Sequence, residues 1–163
     1  MENLLILGAG QYGMVAKDIA DSMKVFACIS FLDDYNLIAV GKLNEYAQFI
    51  NEYDSAVVAI GDAKKRLMLI EQLLSAGYEV PVLIHPSAYV APSAVIGKGS
   101  FVEPMTVVHT DVTIGMGCII SAGTIINHNA VIDDGCHLNC GTIVGARTDV
   151  PYCTKTDYGQ IVR

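Results

Sequence analysis

Residues Val90–Lys155 read VAPSAV-IGKGSF-VEPMTV-VHTDVT-IGMGCI-ISAGTI-INHNAV-IDDGCH-LNCGTI-VGARTD-VPYCTK, eleven hexapeptides without a slip in register. The first place is always aliphatic: Val90, Ile96, Val102, Val108, Ile114, Ile120, Ile126, Ile132, Leu138, Val144 and Val150. The fifth is always small, from Ala94 and Ser100 through Cys118, Ala130 and Cys136 to Thr154. A fixed short period of this kind marks a parallel β-helix. The aliphatic place fills a narrow prism, and the small place turns a corner where a larger side chain would clash. Three hexapeptides make one triangular coil, so Val90, Val108, Ile126 and Val144 form one column and Ile96, Ile114, Ile132 and Val150 another. Gly99, Gly117, Gly123, Gly135 and Gly141 precede small places, where the backbone needs φ > 0. The period by itself does not set the handedness of the helix. Its eleven hexapeptides make under four coils, and the repeat is expected to dissolve into a tail over Thr156–Arg163.

Composition bounds the rest. The 163 residues are 52% hydrophobic and 17% charged, which predicts a packed core and excludes disorder. The net charge of -7, with no basic stripe, argues against a nucleic-acid partner. No apolar run is long enough to span a bilayer, and the first residues lack a basic leader. Five cysteines, with no CxxC, point to reduced thiols and a cytoplasmic protein. Cys118 and Cys136 lie one coil apart and read as stacked interior thiols, so no metal is expected.

Residues 1–85 alternate strand and helix signals. Strands are expected at Asn3–Leu7, Val25–Leu32, Ser55–Ile60 and Val80–Ile84, and helices at Met14–Met23, Leu43–Asn51 and Ala63–Ser75. This is a small Rossmann-like α/β domain on a parallel sheet. It is followed over 86–163 by the short β-helix, with the join bracketed by Pro86 and Pro92.

Gly8-Ala9-Gly10-Gln11-Tyr12-Gly13 closes the first strand and opens a helix. Glycines there let a phosphate approach the backbone, and the helix N-terminus supplies free N–H groups. Asp33 follows Gly13 at the spacing of a ribose-binding carboxylate. The same six residues also close tight turns that bind nothing, so the motif needs its strand–turn–helix context. His128 occupies the third place of its hexapeptide, so its side chain points out of the prism, where a neutral imidazole can take a proton near pH 7. His137 lies half a coil further on, on a different face, so the two converge only across an interface between copies.

These residues carry a family resemblance over nearly the whole chain. Gly8–Gly13, Phe31-Leu32-Asp33-Asp34, Ala59-Ile60-Gly61-Asp62, Leu83-Ile84-His85-Pro86-Ser87-Ala88, Asn127-His128 and His137 resemble the sugar O- and N-acyltransferases of the sialic-acid O-acetyltransferase type. That family includes bacterial acetyltransferases acting on UDP-4-amino sugars. The resemblance, shared with the hexapeptide-repeat acyltransferases in general, implies a left-handed β-helix and a homotrimer with acetyl-CoA in the groove between subunits. It implies a UDP-sugar on Gly8, Gly10, Gln11, Tyr12, Gly13, Asp33, Asp34 and Asp62. His128 would be the general base and His137 would hold the acetyl thioester. Where the family often has a carboxylate after the base, this chain has Asn129, which can accept a ring hydrogen bond without supplying charge. Ala146 stacks one coil above His128, and its N–H is expected to face the thioester oxyanion. A trimeric sugar-nucleotide-binding protein without efficient transfer is the first alternative, and an NAD-dependent oxidoreductase, suggested only by the glycine turn, is the second. Outward apolar residues Ile119, Ile125 and Val131 are expected to need burial by neighbouring copies.

Overall fold

A computed structural model describes all residues from Met1 to Arg163, in two compact units, Met1–Pro81 and Val82–Arg163. In the first unit, β1 (Glu2–Leu7), α1 (Gln11–Met23), β2 (Phe26–Leu32), β3 (Ser55–Val58) and α2 (Ala63–Ala76) follow in order. The three strands are parallel in the order β2-β1-β3. The run Leu4–Leu7 is buried at every residue, as a central parallel strand covered on both faces requires. Helix α1 turns Gly13, Ala16, Ile19 and Ala20 inward, a helical stripe of mostly small residues that lets it approach the sheet closely. Helix α2 stops at Gly77, in the left-handed region at φ 97.

Three elements differ from expectation. Helix α1 starts at Gln11 rather than Met14, because Gly10 is already its N-cap. The expected helix at Leu43–Asn51 is a 3-10 segment, Leu43–Phe49, with no buried residue to hold a longer α-helix. Leu83–Ile84, expected to end the α/β sheet, pairs with Phe101–Val102 in the second unit. Ile84 stands six residues before Val90 and so occupies the aliphatic place of an additional rung.

The second unit is a three-sided parallel β-helix. Its first face carries Leu83–Ile84, Phe101–Val102, Ile119–Ile120 and His137–Leu138. The second carries Tyr89–Val90, Val107–Val108, Ile125–Ile126, Ile143–Val144 and Ile161–Val162. The third carries Val95–Ile96, Thr113–Ile114, Val131–Ile132 and Asp149–Val150. Strand register pairs every residue with the one eighteen places on. The aliphatic places from Val102 to Val150 are buried. All five glycines expected at φ > 0 have it. The corner hydroxyls are buried but satisfied: Ser100 donates to Gly115 O at 2.9 Å and Thr142 to Asn139 O at 2.7 Å. The Cys118 and Cys136 thiols are buried, form no disulfide, and donate to Asp133 O and Pro151 O.

The expected tail is another stretch of prism. Ile161–Val162 pairs with Ile143–Val144, so the five-stranded face spans four full coils and the helix is longer than its hexapeptides suggest. Thr156 takes an aliphatic place here, 2% exposed, with its hydroxyl bonded to Thr142 and accepting Asn139 N–H. Of the three apolar residues expected outside, Ile125 and Val131 are exposed and Ile119 is fully buried, in a column with the equally buried Leu83 and Phe101.

Candidate active site

In the first unit, three loops meet at the carboxyl ends of the parallel strands: 8–10 after β1, 33–36 after β2 and 59–62 after β3. The order β2-β1-β3 puts the topological switch beside β1, where open α/β sheets form their ligand crevice. The glycine turn is close-packed at both ends. Gly8 has φ 107, and a Cβ there would meet Ala59 O at 2.8 Å. A Cβ on Gly13 would lie 2.2 Å from Gly8 O. Gly10 differs: nothing lies within 4 Å of its would-be Cβ, its φ is an ordinary -76, and no side chain caps the helix it begins. Neither space nor conformation inside the chain requires a glycine at this position.

Asp33 is committed to the fold more than expected. Its Oδ2 accepts Ala9 N–H at 2.8 Å, and its Oδ1 accepts Tyr35 N–H and Asn36 N–H, each at 2.9 Å. Asn36 Nδ2 donates to Ala9 O at 2.7 Å and completes the clasp. The Ala9 N–H holds the carboxyl below its ordinary value, helped by Tyr35, Asn36 and the Lys65 charge against the cost of partial burial. A lowered folded value means stability that is fully present above the ordinary carboxylate range and lost as pH falls through the folded value. Asp33→Ala is therefore expected to destabilise this unit by about 1–3 kcal/mol at neutral pH. Thermal melts from pH 7 down to 3 check it: the wild type should lose its margin over the variant below about pH 4.

Asp62, expected among the ligand contacts, caps α2 by accepting Lys65 N–H at 2.7 Å. Asp34 Oδ1 accepts Leu43 N–H at 3.2 Å. Gly8, Asp33 and Asp34 line an open cavity of about 200 Å³, together with Tyr35, Leu43, Ile60 and Lys65. A second cavity of about 570 Å³ shares Asp34, Tyr35, Leu43 and Lys65, and runs on to Lys42 and Met68. Gln11, Tyr12 and Gly13 form the first turn of α1 and line neither cavity. Tyr35, Lys42 and Lys65 escaped the sequence reading. Tyr35 follows the Asp33-Asp34 pair directly, and Lys65 sits one turn into a helix, so only the fold turns them to one crevice. Arg66, fully buried, donates to Ile60 O at 2.7 Å and fixes the third loop.

In the second unit, His128 is exposed at the corner between the second and third faces. Its Nδ1 lies 3.0 Å from Asn129 Oδ1, and its backbone N–H donates to Asn127 Oδ1 at 3.2 Å. With the proton on Nδ1, Nε2 keeps its lone pair toward solvent. Asn129 adopts φ 60, a conformation asparagine tolerates better than most residues. His137 lies on the first face, half-buried, with Nε2 3.3 Å from the hydroxyl of Ser121, itself buried. The two histidines thus stand on different sides of the prism. Ala146 is exposed one coil above His128, and its N–H has no partner among the chain's hydrogen bonds.

Residues 3–73 match the PglD N-terminal domain model, and residues 93–128 match the model of the bacterial transferase hexapeptide (six repeats). It is 30% identical over 112 residues to a UDP-N-acetylbacillosamine N-acetyltransferase from Bacillus subtilis. That alignment takes in 63% of this chain and 51% of the relative, so the chain spans about half the length of the curated relative it matches. The acetyltransferase domain of PglB from Neisseria gonorrhoeae superposes with a TM-score of 0.92 at 27% identity, over 100% of this chain and 83% of that one. The same domain in complex with acetyl coenzyme A superposes with a TM-score of 0.90 at 27% identity, over 99% of this chain and 82% of that one. The unit matched by the PglD N-terminal domain model contains the crevice at the glycine turn, and the β-helical unit contains both histidines. No helix is long and apolar enough to cross a membrane.

Proposed function

We propose that this protein transfers acetyl from acetyl-CoA to the amine of a nucleotide-linked sugar. The observation that carries the reading is the His128 corner: an exposed imidazole held through Nδ1 by Asn129, one coil below the unclaimed N–H of Ala146. The names of the relatives support the amine over the hydroxyl as acceptor and acetyl-CoA as donor. His128 Nε2 takes the proton as the amine attacks the thioester carbon, and the Ala146 N–H stabilises the oxyanion. His137 holds the acetyl thioester of a neighbouring copy, because one prism keeps the two histidines apart. The protein is accordingly a cytoplasmic homotrimer, with exposed Ile125 and Val131 buried between copies. The PglD-type unit holds the nucleotide: its phosphates lie at the uncapped start of α1 beside Gly10, with Asp34, Tyr35 and Lys65 around the rest.

The test combines calorimetry with a transfer assay. A UDP-linked amino sugar is expected to bind more tightly than NAD, and release of free CoA thiol is expected with a UDP-4-amino-sugar acceptor. Tight NAD binding without a response to UDP-sugars would favour an oxidoreductase. Nucleotide binding without any acetyl transfer would favour a sugar-nucleotide-binding protein, and a monomer at micromolar concentration would remove the shared groove.

A further inference from the structure

The left-handed residues of the prism sort by corner. Those leading onto the first face are Gly99, Gly117, Gly135 and Cys153, and those leading onto the second are Met105, Gly123, Gly141 and Gly159. The corner that carries His128 has no glycine: its left-handed residues are Asp111, Asn129 and Arg147, at φ 57, 60 and 56. Aspartate and asparagine tolerate this conformation, but a long side chain with a Cβ does so at a cost, and such strain persists where something else requires the side chain. Arg147 is thus the residue at this corner that backbone preference leaves unexplained.

Its surroundings suggest a task. Arg147 is exposed and takes part in no ion pair, so no carboxylate neutralises the guanidinium. The Arg147 N–H donates to His128 O at 3.1 Å. Strand register stacks Arg147 directly on Asn129, about 4.8 Å away at the backbone. That spacing is shorter than an arginine side chain, so the cation can reach the space above the imidazole. Asn129 bears no charge and leaves it free to act there. The unclaimed Ala146 N–H is its immediate neighbour.

We propose that Arg147 is a further catalytic residue whose guanidinium contacts the thioester carbonyl oxygen and stabilises the negative charge that develops on it. This rests on the acetyl-transfer reading above. As the acceptor nitrogen bonds to the carbonyl carbon, the carbonyl π pair moves to oxygen, between Arg147 and the Ala146 N–H. The nitrogen's proton passes to His128 Nε2. Collapse breaks the carbon–sulfur bond, and the CoA sulfur leaves with the proton from His128. Arg147 neither gains nor loses a proton.

The experiment measures steady-state transfer and melting for the wild type, His128→Ala, Arg147→Gln, Arg147→Lys and Arg147→Gly, with acetyl-CoA and a UDP-4-amino-sugar. Arg147→Gln is expected to lower kcat about 10–100-fold with both KM values unchanged. Arg147→Lys should recover part of the loss, since it keeps the charge but not the planar fork. Arg147→Gly relieves the strained turn and is expected to melt at or above the wild-type temperature while losing the same kcat. That variant separates catalysis from folding even if the glutamine variant misfolds. A raised acceptor KM at unchanged kcat would instead place the guanidinium on the acceptor's phosphates and overturn the proposal, as would an unchanged kcat in Arg147→Gly. Wild type active through His128 but indifferent to Arg147 sinks this inference alone, whereas an inactive wild type sinks the transfer reading and this inference with it.

Discussion

Replacing His128 by alanine is expected to lower acetyl transfer by about 10²–10⁴-fold, the range for losing a general base. Melting should not move. The side chain is exposed, and the ring's hydrogen bond is to the neighbouring Asn129 alone, so the fold loses little with it. The backbone contacts of this corner, Arg147 N–H to His128 O and Asn129 N–H to Thr110 O, do not involve the imidazole. Binding of the nucleotide-sugar should also survive, since the crevice at the glycine turn lies in the other unit. A rate within tenfold of wild type would remove His128 from the proton transfer. A rate loss accompanied by a lower melting temperature would make the residue structural.

The second large effect is expected at Gly13. A Cβ there falls 2.2 Å from Gly8 O and 3.0 Å from Gly8 C, both backbone atoms that cannot swing aside. Gly13→Ala must therefore push α1 off the turn or unwind its start. The expected cost is about 2–4 kcal/mol in the first unit, the upper range for overpacking, with nucleotide affinity falling about 10²-fold as the turn is displaced. The control is Gly10→Ala. Its Cβ meets nothing, and its φ suits any residue, so melting should fall far less than in Gly13→Ala, by no more than the cost of alanine at a helix N-cap. Affinity should still fall, because a ligand phosphate at the helix start would meet the added methyl. Thermal melts and nucleotide calorimetry on both variants check the pair. A Gly10→Ala variant that binds normally would take the phosphate away from this turn.

The glycines show how differently sequence and fold inform the site. The six-residue motif marked Gly8, Gly10 and Gly13 together, but the fold constrains each differently. Gly8 needs its left-handed backbone, Gly13 its clearance from Gly8, and Gly10 neither. Asp33 was legible as an acidic residue at the right spacing. That its oxygens already serve Ala9, Tyr35 and Asn36 depends on how β2's exit loop folds back over the turn, which spacing cannot convey. Tyr35 and Lys65 were illegible for a related reason: one comes from the loop after β2 and the other from the first turn of α2, and neither has a motif of its own.

What the sequence determined by itself is the prism, its inside and outside, and the outward placement of His128. A β-helix is built by a local rule, one aliphatic and one small place in every six residues, so each hexapeptide states its own position without knowledge of the rest. The same rule separated His128 from His137, because position in the period is also position around the prism. The tertiary structure alone decided where the helix begins and that it runs on past the eleven hexapeptides. Leu83–Ile84 joins it through pairing with Phe101–Val102, and Thr156 holds an aliphatic place because Asn139 and Thr142 satisfy its hydroxyl. It alone decided that Ile125 and Val131 are exposed while Ile119, in an equivalent place, is buried. Burial of an outward side chain and pairing of a buried hydroxyl depend on residues far along the chain, and periodicity carries no information about them.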